Sequence, residues 1–87
     1  MKIKEGFILR EVAGSYIVVA VGSAVKEFNG VINLNETGAF LWKILEKGAE
    51  KEDLISALLA EYEVEEELAT KDIEKFIEKL DSAKLIK

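Results

Sequence analysis

Eighty-seven residues make one small domain spanning 1–87, with room for a single modest core, and an apolar content of 49% is ample to fill it and argues against disorder. The chain has no cysteine and no histidine, which excludes a disulfide framework and a thiolate metal site and removes the commonest general base and metal ligand. A net charge of −5 argues against a phosphate-binding surface.

The longest nearly apolar run, Tyr16 to Val21, is far too short to span a bilayer. No signal-peptide core follows Met1-Lys2-Ile3-Lys4-Glu5, so a cytoplasmic protein with no membrane contact is expected.

Taken in chain order, β-branched residues dominate before about residue 35 and helix formers after it. Phe7 to Val12 reads as a first strand, Ala13-Gly14-Ser15 as a turn, and Tyr16 to Val21 as a second strand, which together make a hairpin. Gly22 to Lys26 reads as a loop, Phe28-Asn29-Gly30 as another turn, and Val31 to Leu34 as a third strand. Three short strands with turn-length connections predict an antiparallel meander.

Asn35 has the side chain of a helix N-cap, and Glu36 supplies an acid to the first turn, where the helix dipole favours it. The first helix is expected from about Glu36 to Glu46, with Gly48 as its C-terminal glycine. Ala39, Phe40, Leu41, Trp42, Ile44 and Leu45 surround almost the whole of it, so it should be central to the fold. A second helix, about Lys51 to Tyr62, has one apolar stripe: Leu54, Ile55, Leu58, Leu59 and Tyr62.

The third helix is expected from about Glu65 to Ala83, and Glu65, Glu66 and Glu67 complement its dipole. Its apolar side, Leu68, Ala69, Ile73, Phe76, Ile77, Leu80 and Ala83, spans about half the wheel from Leu68 to Ile77. One neighbouring element needs less than that, so this helix either packs on two elements or lends one edge of its stripe to an open groove. The order β-β-β-α-α-α in so short a chain predicts an α+β, winged-helix-like domain.

Catalysis finds no support in these residues. The acids Glu61, Glu63, Glu65, Glu66 and Glu67 read as a solvated, dipole-matched helix start, and consecutive helical residues point apart, which does not suit a metal site. Gly22 and Gly30 form no phosphate-binding fingerprint. A non-enzymatic role without cofactor or metal is the expectation. Winged helices often bind DNA, but the third helix carries seven acids against three bases, Lys71, Lys75 and Lys79, which would repel a phosphate backbone.

A three-stranded sheet must have edges, and an unpaired edge is a template for another strand. Val31 to Leu34 is short and uncharged, so an incoming peptide would find backbone hydrogen bonds there whatever its sequence. On the third helix, Leu68, Asp72, Lys75 and Lys79 share one flank of the stripe by their spacing of three and four. Leu68 and Phe76 could anchor apolar side chains, and Asp72, Lys75 and Lys79 could meet charges. Each has a plainer alternative: Phe76 as core, and Lys71 and Lys75 as partners of acids on their own helix, at ~0.3 kcal/mol each. Trp42 is either core or an aromatic that docks a partner.

The run Leu34-Asn35-Glu36-Thr37-Gly38-Ala39-Phe40-Leu41-Trp42 resembles the signature of the PqqD-like proteins, the recognition elements of ribosomally made, modified peptides. The similarity continues in Leu54 to Leu58, Glu61 to Val64, Asp72 to Leu80 and Leu85-Ile86, so it covers nearly the whole chain. The departures are Ala20-Val21, where a proline is common, and Glu50, where a hydroxyl cap is common.

The resemblance implies the same fold and a leader-peptide-binding adaptor. A precursor peptide would add as a fourth antiparallel strand beside Val31, Ile32, Asn33 and Leu34. The third helix would form the other wall, for which the spacing offers Leu68, Asp72, Lys75, Phe76 and Lys79 and leaves open which flank of the helix faces the third strand. It implies as partner a modifying enzyme, typically a radical S-adenosylmethionine enzyme, acting in quinone cofactor synthesis or in another peptide pathway. Two alternatives stand beside it: a winged-helix DNA-binding or regulatory protein, and a structural subunit that pairs with its own copy as a homodimer through the third strand.

Overall fold

The computed structural model describes residues 1–26, 28 and 30–87. Strands β1 (Phe7–Val12), β2 (Ser15–Ala20) and β3 (Val31–Leu34) form an antiparallel sheet in the order β1-β2-β3. Helices α1 (Glu36–Lys47), α2 (Lys51–Glu61) and α3 (Glu66–Ser82) follow. The expected α+β order is the observed one.

Both ends of β2 differ by one residue from the sequence reading, and helix ends differ by no more than that. The hairpin turn is the pair Ala13-Gly14 alone, both at positive φ (51° and 82°), so Ser15 already pairs with Val12. At the other end β2 stops at Ala20, and the Val21 N–H continues the ladder in register for one more bond, to the Gly6 carbonyl at 2.7 Å. The expected loop at Gly22–Lys26 is a short 3-10 helix that buries Ala24. The expected turn at 28–30 includes Asn29, which lies outside the described residues.

Alternation sorts the sheet into two faces. Phe7 and Leu9 of β1, Tyr16 and Val18 of β2, and Ile32 and Leu34 of β3 pack toward the helices. On the other face Ile8, Val19 and Val31 stand in one row across the strands, and Val31 is exposed.

The core lies between the sheet and the helices and is built on Trp42, Leu41, Leu45, Leu54, Ile73, Leu80, Leu85 and Val18. Helix α1 supplies three of these, which makes it central, as its nearly all-round apolar pattern requires. Trp42 is fully buried, and among the described residues its indole N–H meets no acceptor. Phe28 closes one side of the core by an edge-to-face contact with Phe7, ring centres 5.8 Å apart.

The two chain ends meet. Ile3 and Ile86 form an antiparallel bridge, with Lys4 N–H donating to the Leu85 carbonyl at 2.8 Å and Lys87 N–H to the Lys2 carbonyl at 2.9 Å. This seam holds Leu85, fully buried, against the core.

Candidate functional site

Strand β3 lies at the edge of the sheet, and the hairpin geometry decides which of its backbone groups are unpaired. A two-residue turn closes on a hydrogen-bonded pair, here Val12 and Ser15. Ser15, Ile17 and Val19 therefore direct their backbone groups to β1, and Tyr16 and Val18 direct theirs to β3. Tyr16 faces Leu34 and Val18 faces Ile32 in the register, so Leu34 and Ile32 bond inward. The N–H and C=O of Val31 and Asn33 point away from the sheet. The position of the Asn33 carbonyl agrees with this: it accepts a hydrogen bond from Lys79 Nζ of α3 at 3.1 Å.

A cleft of about 400 Å³ opens between this edge and α3. Its floor is apolar, made by Leu34, Leu41 and Phe76, and its rim is polar, made by Asn33, Asn35, Thr37, Asp72, Lys75 and Lys79. Phe76 belongs to the buried core, as its plainer reading had it, and also lines the cleft. Asp72, Lys75 and Lys79 are exposed on one flank of α3.

The corner between β3 and α1 fixes the floor. Asn35 caps α1, its side-chain oxygen accepting from the Gly38 N–H at 2.7 Å. Gly38 lets the strand lie close on the helix, since a Cβ there would stand 3.3 Å from the Leu34 Cβ and 3.2 Å from the Asn35 oxygen. Helix α2 is capped without a hydroxyl: the Glu50 N–H donates to the Asp53 carboxylate at 2.9 Å, and the Glu50 carboxylate lies 3.5 Å from the N-terminal amine.

Of the residues expected at the site from sequence, Asn33, Leu34, Asp72, Lys75, Phe76 and Lys79 line the cleft. Val31 lies on the same edge with its side chain on the outer face, and Ile32 is turned inward, half-buried against the core. Leu68 is 52% exposed and stands outside the cleft, eight residues before Phe76 and so about 12 Å away along the helix axis.

Asn35, Thr37, Gly38 and Leu41 line the cleft without having been singled out for it. Their signal was the helix start itself, because the first turn of α1 follows directly on the edge strand. A shallower hollow of about 550 Å³ adjoins at the strand ends, lined by Gly14, Ser15, Tyr16 and Glu36 among others, and lacks the helical wall. Near it, the Tyr62 phenol is held above its ordinary value of 10.0, first by partial burial and then by the carboxylates of Glu36 and Glu61.

The fold and the site define a small α+β domain with an unpaired sheet edge and an apolar cleft running beside it. The chain belongs to the PqqD family: the sequence profile described as Coenzyme PQQ synthesis protein D (PqqD) matches residues 8–86.

Two solved structures share the fold over almost their whole length. One is described as TbiB1 in complex with the TbiA(beta) leader peptide, with a TM-score of 0.79 at 22% identity, covering 100% of this chain and 95% of that one. The other is lasso peptide synthetase B1 complexed with the leader peptide, with a TM-score of 0.74 at 21% identity, covering 97% and 93%. A comparison with curated proteins found no match.

Proposed function

We propose that this protein is a leader-peptide-binding adaptor. It captures a ribosomally made precursor as a fourth strand on β3 and presents it to the enzyme that modifies it. The observation that carries this is the edge itself. Val31 and Asn33 turn their backbone groups outward in register with no strand beside them among the described residues, and the cleft bounded by α3 lies where alternate side chains of an added strand would fall. Family membership supports the reading, as does the likeness to two proteins solved with leader peptides bound.

Backbone pairing supplies affinity with little regard to sequence, and the cleft supplies selection. The adaptor contributes to turnover by raising the concentration of precursor beside the enzyme, which needs no reactive group of its own. A radical S-adenosylmethionine enzyme is the expected partner class. The likeness to a lasso peptide synthetase component extends that expectation to enzymes of lasso peptide synthesis.

The test is an NMR titration of the isotope-labelled protein with the leader peptides encoded beside its gene. Saturable shifts are expected at Val31 and Asn33 and along Asp72 to Lys79. A folded monomer that shows no shifts with any of those leaders would sink the reading.

A further inference from the structure

The edge that a peptide must join is already occupied at one point. Lys79 donates its ammonium to the Asn33 carbonyl at 3.1 Å, and that carbonyl is one of the acceptors an added strand requires. Lys75 lies one turn earlier and lines the same cleft, so two like charges at a spacing of four face it, an arrangement unfavourable to a helix on its own.

Among the described residues neither lysine has a carboxylate within 4.0 Å, in a chain with 17 acids against 12 bases. Lysines elsewhere do find partners: Lys51 meets Glu74 at 2.6 Å and Lys71 meets Glu67 at 3.5 Å. The cleft lining therefore carries two lysines, neither in an ion pair, against the single acid Asp72, on a protein of net charge −5.

We propose that Lys79 is a clasp on the sheet edge that opens in exchange for a carboxylate on the incoming peptide. The proposal rests on the strand-addition reading and names the peptide chemistry it selects. When a peptide N–H takes the Asn33 carbonyl, the ammonium must leave it. A peptide acid at the rim gives the displaced ammonium a new partner beside Lys75, while a neutral strand leaves it only water.

Lys79 is thus a specificity-determining residue, raising the threshold for neutral strands and lowering it for acidic ones. Asp72, seven residues before Lys79 on the same wall, repels a carboxylate at the other end of the cleft and so favours one placement of the acid. The preferred ligand is an extended segment with an apolar side chain over Leu34, Leu41 and Phe76 and an acidic residue close by in the strand.

The test uses a phage-displayed library of random peptides selected separately on the wild-type protein and on Lys79→Met. This substitution keeps the aliphatic stem on an exposed surface and removes the charge. The best wild-type binder is then titrated, together with its Glu→Gln or Asp→Asn copy, into both proteins and into Lys79→Arg.

Wild-type binders should share an acid beside an apolar residue, and the acidic peptide should bind the wild type about three- to tenfold more tightly than its amide copy. The gap should persist in Lys79→Arg and close in Lys79→Met. The amide copy should bind Lys79→Met at least as well as it binds the wild type, because the clasp is gone. Equal binding of the two copies to the wild type, or a gap unchanged in Lys79→Met, overturns the clasp and leaves strand addition standing if the shifts still map to β3. No enriched peptide on either protein removes strand addition, and the clasp with it.

Discussion

Asn35 joins the fold to the site. Its side chain closes the first turn of α1, and the same residue lines the cleft at the point where β3 ends. Replacing it with alanine should cost about 1 kcal/mol of stability from the lost cap, measured as a lower urea midpoint with an unchanged slope. The cap was legible in the sequence because the chemistry is local: an amide side chain immediately before a helix, satisfied three residues on.

The partner of Lys79 was not legible. Its spacing grouped it with Asp72 and Lys75 on one flank of α3 without saying which flank faces β3, and the carbonyl it holds belongs to a residue 46 positions earlier. No periodicity reports a contact made by the tip of a long, flexible side chain to the backbone of another element. Phe76 presented a related difficulty: core and cleft were competing readings, and the ring serves both because it sits where the apolar stripe meets the rim.

Among the elements, the β1–β2 hairpin carries an avoidable strain. Ala13 occupies the left-handed region at φ 51° as the first residue of its two-residue turn, a conformation that costs a residue with a Cβ about 1 kcal/mol. Ala13→Asn should therefore raise the thermal midpoint, with a gain of roughly 0.5–1 kcal/mol by denaturant unfolding and no change in peptide affinity. A loss of stability would mean that the turn relaxes differently from the geometry described here.

The element boundaries followed the sequence closely wherever a local signal set them, as for β3, which starts after Gly30 and ends before its helix cap. They shifted by one residue at the ends of β2, where pairing with β1 sets them: the two-residue turn lets Ser15 pair with Val12, and Val21 lies one step past the last paired residue, its N–H still bonded to the Gly6 carbonyl. Leu68 shows the limit of wheel arguments. Angular position put it on the flank with Asp72 and Lys75, but the cleft lining on α3 begins at Asp72, about one turn beyond Leu68.

For the whole molecule, the single core leaves little margin. A domain of this size is stable by about 5 kcal/mol or a little more, and a large apolar side chain cut to alanine in a packed site costs ~2–5 kcal/mol. Leu85 is fully buried although it lies outside all three helices, so Leu85→Ala should unfold much of the population at 37 °C, seen as lost helical circular dichroism. The wide stripe of α3 finds its explanation at this scale. Ala69, Ile73 and Leu80 are buried, while the edge at Phe76 fronts the cleft. The sequence posed that choice between a second packing partner and an open groove, and only the placement of β3 beside the helix answers it.

The seam between the chain ends has a mechanical consequence. Residues 2 and 87 stand together at one end of the bridge, with residues 4 and 85 further in. A pull applied between the two termini would load these hydrogen bonds one after another, as the teeth of a zip are opened, instead of sharing the force among all of them in shear. Along the line that joins its own ends the molecule therefore yields one bond at a time, and the buried side chains such a pull would draw out of the core are Ile3 and then Leu85.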